Sequence, residues 1–457
     1  MSQRSRFSIP CARRARARKR CSSFASLGAC LVLAAQGPSA WASSFEWIEL
    51  DTIMPLQPQA GAQFGAALAA DALQLAIGEP RASVNGVSVA GRVAVRRFAG
   101  GPQASVIPDV LHAGGLFGAA LSVQGDVLRV GEPGNPTNGA DAGAISQYDY
   151  HADSQHWLWS GTGFSLAGDR FGTSLAQDDP WRVDSRPGSP AFAGGYVMVT
   201  QLAGMADVQF IAEPGGVAGD AFGASLAIHR GAAGEPDLLV IGAPRRDLGV
   251  GATDAGAAYV FANATHTATG WVQVAYLTPP SPHDQDFFGS SVAAGASRVV
   301  VGAPGRDKSD APPAGNAGAV FVYEPDGAGG WQQAQEIVLA DAATGDALGS
   351  SVAYDAASDR VFGGAPFRVH TVFGGTGATG GVIVAQRICL FTSCGWAPIR
   401  ELYSHDQPSI GQQAGRAIAV VGDRLFVGVP TYDHATDVNS GRVLAFVADD
   451  IFADGFE

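Results

Sequence analysis

Phe288-Gly-Ser-Ser-Val-Ala-Ala-Gly-Ala-Ser-Arg-Val-Val-Val-Gly-Ala-Pro304 is the stretch whose reading decides the fold. Two apolar runs flank a short Gly-Ala-Ser turn, and a proline closes the second run. Such a pattern predicts one β-hairpin, with proline placed where no ladder donor is needed. Working outward, the opening pair recurs as Phe64-Gly65, Phe117-Gly118, Phe171-Gly172, Phe222-Gly223, Leu348-Gly349 and Ala414-Gly415. With Phe288 the successive spacings are 53, 54, 51, 66, 60 and 66 residues. The closing triplet returns as Gly78-Glu-Pro80, Gly131-Glu-Pro133, Gly242-Ala-Pro244, Gly364-Ala-Pro366 and Gly428-Val-Pro430. In the third unit it reads Ser185-Arg-Pro187, so that unit keeps the proline and loses the glycine.

After each triplet a variable loop leads to a third strand, usually opened by glycine, as in Gly91-Arg-Val-Ala-Val95 and Gly318-Ala-Val-Phe-Val-Tyr323. A fourth run follows, often opened by tryptophan, as at Trp157, Trp271, Trp331 and Trp396. Four short strands per unit, repeated seven times, predict an all-β chain: a seven-bladed β-propeller of four-stranded blades. The last unit stops after its third strand at about Phe446, while Trp47-Ile-Glu-Leu50 precedes the first Phe-Gly. The N-terminal strand is therefore expected to complete the seventh blade.

Repeated Phe-Gly and Gly-Ala-Pro in register across residues 45–447 resembles the FG-GAP repeat of the integrin α-subunit N-terminal propeller and its exported bacterial relatives. The resemblance implies the propeller fold, while fold alone leaves function open. It also implies a calcium loop, Asp-x-Asp/Asn-x-Asp-Gly-x-x-Asp, between Phe-Gly and Gly-Ala-Pro. Only the fourth unit is long enough, and there the pattern falls on His229, Gly231, Ala233, Gly234 and Asp237. Calcium takes six to eight oxygen ligands. With Gly234 and Asp237 alone retained, the expectation is no cofactor, with calcium the one candidate.

Residues 1–42 read as a secretory signal peptide: a basic run from Arg13 to Arg20, an apolar stretch from Phe24 to Ala35, and Ala40-Trp-Ala42 as a cleavage site. Leu27-Gly-Ala-Cys30 faintly resembles a lipoprotein box, an alternative form of the same export. No stretch is long and apolar enough to predict a transmembrane helix. The chain holds 29 Lys and Arg against 42 Asp and Glu, and eight of the basic residues lie in the leader. The remaining 21 against 42 give a net charge near −21, which argues against nucleic acid as a partner. Solubility is the plainer use of such a surface.

Cys11, Cys21 and Cys30 fall in the leader, leaving Cys389 and Cys394. Their spacing across a turn suits a disulfide in an oxidising compartment. The protein is expected outside the cytoplasm, secreted or at the cell surface, with the periplasm as the alternative.

Acidic residues gather in the loops after Gly-x-Pro: Asp247 and Asp254, Asp307 and Asp310, Asp433 and Asp437. On a propeller these loops share one rim, which makes the six the candidate ligand-binding residues. Asx-turn chemistry in solvated loops is the competing account. Asp169, Asp220, Asp286 and Asp346 each stand two residues before the Phe position, a repetition that favours a structural turn.

No metalloprotease, nucleophile-elbow or Walker motif occurs, and no catalytic residue is assigned. Gly375-Thr-Gly-Ala-Thr-Gly380 matches a dinucleotide fingerprint but precedes Val382-Ile-Val384, a strand, so it reads as a glycine loop. The end, Ile451-Phe-Ala-Asp-Gly-Phe-Glu457, resembles a terminal motif of some exported Gram-negative proteins. Residues 448–457 are either a sorting tag or a frayed acidic tail. Together the residues suggest a monomeric, exported, non-catalytic binding or adhesion module that recognises a protein or glycan ligand through its loop rim. The alternatives are an extracellular hydrolase with a site assembled from several loops, and a structural envelope protein.

Overall fold

The computed structural model describes residues 46–100, 103–202, 208–309, 314–372, 375–390, 393–403 and 411–449. The expected leader and the last eight residues lie outside this set. All regular structure among the described residues is β-strand.

Seven antiparallel four-stranded sheets follow one another in chain order. Blade 1 starts with Ala67–Ala70 and Gln74–Glu79, and blade 2 with Ala120–Gln124 and Val127–Glu132. Blades 3 to 6 repeat the meander from Leu175–Asp178, Ser225–His229, Ser291–Gly295 and Ser351–Asp355. Blade 7 comprises Ile418–Val421, Arg424–Val429, Arg442–Asp449 and, as expected, the N-terminal strand Glu46–Ile53. Each innermost strand packs beside the next, and Ile418–Val421 meets Ala67–Ala70, so the ring closes. The last strand runs to Asp449, past the expected limit at Phe446.

The repeated motif has a physical cause in the seams between blades. Each Phe-position N–H donates to a carbonyl just ahead of the preceding blade's third strand: Phe64 to Ser440, Phe117 to Ala90, Phe288 to Ala255 and Leu348 to Ala317, at 2.9–3.1 Å. The glycine that follows has positive φ, from 81° to 91° across the seven, which any Cβ would oppose. Its carbonyl abuts the preceding blade's Gly-x-Pro glycine. A Cβ on Gly78, Gly131, Gly242, Gly302, Gly364 or Gly428 would come within 2.0–2.1 Å of that oxygen. Phe-Gly and Gly-x-Pro are thus two halves of one close backbone contact.

The core lies in layers between neighbouring blades. Trp181, Val183 and Val199 of blade 3 pack on Leu239, Ile241 and Tyr259 of blade 4, and Val300, Val320 and Val322 of blade 5 on Val361 and Ile383 of blade 6. The seam between blades 2 and 3 has the smallest apolar layer, Ala120, Ile145, Phe171 and Leu175, and carries a buried Arg129–Asp184 pair at 2.6 Å.

Cys389 and Cys394 form a disulfide between directly opposed residues of blade 6's outer hairpin, Gly381–Leu390 and Ser393–Leu402. Sequence reading missed one element: the glycine stretch is a strand, Gly375–Ala378, paired with Val369–Val372 in a small hairpin inserted into blade 6. The register pairs His370 with Gly377 and Thr371 with Thr376, so these glycines lie in an extended ladder and do not open a helix.

Candidate functional site

The loops after Gly-x-Pro and the loops entering Phe-Gly leave the blades at the same end of the strands, so they share one face. The four repeated aspartates lie there, buried. Their Oδ2 atoms accept from the backbone N–H three residues earlier: Val217 to Asp220 at 2.8 Å, His283 to Asp286 at 2.9 Å and Ala343 to Asp346 at 2.9 Å, with Leu166 to Asp169 longer at 3.2 Å. An arginine answers each carboxylate. Arg246 Nη1 lies 2.7 Å from Asp220, Arg306 Nη1 3.1 Å from Asp286, and Arg368 Nη1 2.8 Å from Asp346. Arg186 reaches Asp169 only at 3.9 Å and is relayed through Ser165. These are structural turns with a charge lock, in line with the sequence reading.

Two carboxylates share Arg246. Glu213 Oε1 lies 3.6 Å from its Nη1 and accepts from Tyr259 Oη at 2.8 Å. Burial pushes the Glu213 carboxyl up to about 8; the tyrosine hydrogen bond opposes the shift and Asp220 adds to it.

Of the six candidate ligand residues, Asp247, Asp307 and Asp433 are exposed and occupy equivalent places. Each Oδ1 accepts a backbone N–H from a left-handed residue of its own loop: Asp254 (φ 51°) at 2.9 Å, Asn316 (φ 50°) at 2.7 Å and Asn439 (φ 56°) at 2.8 Å. One oxygen of each carboxylate thus closes its loop, and Asp254 takes part as a backbone donor. Asp437 pairs with His434 through two backbone hydrogen bonds. Asp310 lies outside the described residues.

The degenerate calcium loop does not fit the ion. Asp237 is buried, and its oxygens accept from Gly231 N at 3.0 Å and Trp181 Nε1 at 2.8 Å, with His266 Nδ1 also 2.8 Å away. Gly234 (φ 91°) turns the hairpin. Among the described residues, no three His, Cys, Asp or Glu side chains group as metal ligands.

A feature missed by the sequence reading is a cleft of about 760 Å³ at the rim of blade 2. Its polar floor is Glu132, Asn135, His112, Ser146 and Thr162, and Trp159 and Phe164 form its wall. Glu132 is 2% exposed, while Trp159 and Phe164 are 50% and 45% exposed. Asn135 Nδ2 donates to Glu132 Oε2 at 2.8 Å, and His112 Nδ1 lies 3.3 Å from Oε1. Thr162 Oγ1 accepts from Trp159 Nε1 at 2.9 Å and fixes the indole. Burial pushes the Glu132 carboxyl above its ordinary range, opposed by Asn135 and His112. The available signal was Gly131-Glu-Pro133, an acidic residue at a position that is alanine in three other units.

Among the described residues no helix is long and apolar enough to cross a membrane. Residues 206–261 and 271–323, within blades 3 to 5, match the family model of the FG-GAP repeat. Among curated proteins, none matches the chain. Two stretches that match the FG-GAP repeat, and the same Phe-Gly to Gly-x-Pro contact recurring round a closed ring of seven blades, make the chain similar to the FG-GAP β-propeller of integrin α-subunits.

Proposed function

We propose that the protein is exported and acts as a non-catalytic binding or adhesion module, recognising a protein or glycan ligand through its loop rim. The observation that carries the proposal is the blade 2 cleft, where exposed aromatic rings stand over a buried polar floor. Concave sites with an apolar wall and a few fixed polar groups are the usual form of ligand pockets. The exposed loop aspartates Asp247, Asp307 and Asp433 offer further polar contacts on the same face. The cross-strand disulfide suits an oxidising compartment, and the leader and acidic charge fit a module working outside the cytoplasm.

The test is binding of the purified protein to intact cells, envelope fractions and a glycan array, with calcium or with chelator. Saturable, chelator-insensitive binding to one class is expected. Turnover of a glycan, lipid or peptide substrate, abolished by Glu132→Gln or His112→Ala, would replace this reading with the hydrolase. Glu132 and His112 are a carboxylate–imidazole couple lining an open cleft, which makes them the place to look.

A further inference from the structure

We propose that the chain's own C-terminal segment, residues 450–457, docks into a groove between blades 7 and 1 on the face opposite the loop rim. The groove exists because blade 1 has a short outer strand. Its fourth strand, Ala104–Val106, has three residues, against five to ten in the other blades. The ladder it makes reaches Val95, so Arg96 and Arg97 run past it. What the short strand leaves open is the outer part of blade 7. Leu50 bulges from Glu46–Ile53 between the pairs Glu49–Phe446 and Asp51–Ala445, and is 62% exposed. Behind it Phe98 stacks on Phe426, with ring centres 5.6 Å apart and planes 8° from parallel. The space among these residues is about 260 Å³, room for a large side chain.

Three arginines stand around this apolar floor. Arg96 reaches Asp51 at 2.8 Å, but the two side chains are 43% and 47% exposed. A pair so solvated holds its partners weakly. Arg97 reaches Asp126 of blade 2 at 3.2 Å. Arg424 is exposed, lies 4.7 Å from the centre of the Phe98 ring and pairs with no carboxylate among the described residues. The groove thus gathers positive charge round an aromatic floor, in a chain of net charge −13.

The occupant follows from where the described chain ends. The third strand of blade 7, Arg442–Asp449, lines the groove at Ala445 and Phe446 and ends three residues later. Ala448 N–H donates to Asp423 O at 2.9 Å, so the exit lies beside the turn that carries Arg424. The residues that follow are Asp450-Ile-Phe-Ala-Asp-Gly-Phe-Glu457, with three acids, no base, and the apolar Ile451, Phe452 and Phe456. Three strand residues cover about 10 Å and eight extended residues up to about 27 Å, so a return to the groove is within reach. Acids and rings on the segment match arginines and rings in the groove. Tethered at one end, the segment acts at high effective concentration, ahead of a second copy or a free protein. Docked there it spans Glu46–Ile53 and blade 1, and clasps the joint where the ring closes.

The test places the photocrosslinker p-benzoylphenylalanine at position 452 of the full chain and maps its products by mass spectrometry. Products should form within one chain, on peptides that carry residues 50–53, 96–100 and 424–426. Asp450→Lys, Asp454→Lys and Glu457→Lys together should cut their yield at least about tenfold. Arg96→Ser with Arg424→Ser, both at solvated positions, should lower it in the same direction, as should high salt. A second measurement needs no unnatural residue: ending the chain after Asp449 should speed amide hydrogen exchange across residues 96–100 about tenfold. Products between two chains would give the groove to a second copy and overturn the inference. So would products scattered over the surface, a yield unmoved by the charge changes, or exchange that is the same with and without the segment. Products on an envelope protein in whole cells, with none in the groove, would make the segment a tag read by a partner and overturn it too.

Discussion

Blades 5 and 3 are built to one plan, and the differences between them show which parts of the plan are obligatory. In blade 5, Gly302 faces the next Phe-Gly turn so closely that a Cβ would come 2.0 Å from Gly349 O. In blade 3 the same place is Ser185, whose Cβ lies 3.1 Å from where a Cβ on Gly223 would stand. The seam there is wider. A Cβ on Gly195 would meet Phe222 O at 2.7 Å, against 2.2 Å for Leu348 O at the matching Gly318. Half an ångström of slack admits a side chain, and the serine hydroxyl accepts from Ser174 N at 2.8 Å. The charge lock changes in step: Arg306 bonds Asp286 directly, while Arg186 works through Ser165. Glycine is therefore demanded by the distance between blades, not by the hairpin.

The comparison can be broken at the lock, where the largest effect is expected. Arg306→Met strands a buried Asp286 and should cost about 3–5 kcal/mol in urea unfolding. Arg186→Met should cost clearly less, because Ser165 still donates to Asp169. Equal costs would mean that the relay in blade 3 is as strong as direct pairing. Next comes the seam itself. Gly302→Ala must displace backbone and should lose about 1–3 kcal/mol, whereas Ser185→Gly should change stability by less than about 1 kcal/mol. A large loss on Ser185→Gly would show that the hydroxyl, rather than the spacing, holds blade 3 together.

The smallest effect sharpens the seam between blades 3 and 4. Glu213, pushed up to about 8 from an ordinary 4.5, stays protonated in the fold while the unfolded chain ionises. The unfolded state then binds fewer protons, so stability falls as pH rises from about 4.5 to about 8. Glu213→Gln should flatten this decline, a matter of a few degrees in Tm across the window. An unchanged slope would place the titration elsewhere.

The fold was legible because the contact that dictates it is local in sequence at each end and repeated. Phe64, Phe117 and Phe288 announce the turn, Gly78, Gly131 and Gly302 its partner, and Trp47 the strand that completes the ring. The four lock aspartates were legible for the same reason: one backbone geometry, four times. The blade 2 cleft was not, since its floor gathers His112, Glu132, Asn135, Ser146 and Thr162 from loops and three different strands. Nor was Asp237's environment, whose donors Trp181 and His266 lie 56 and 29 residues away. The glycine hairpin at Gly375 was misread because strand pairing with Val369–Val372 leaves no composition signal.

The seventh blade, three strands from one end of the chain and one from the other, makes the propeller a circle with a nick. Glu46–Ile53 waits for partners at Arg442–Asp449, so the circle closes only after the last blade exists, by one of the longest-range pairings possible in this chain. Such pairings close slowly. The nick is also movable in principle: joining the two strands and cutting a loop between other blades should redraw the order of the chain while leaving every seam intact.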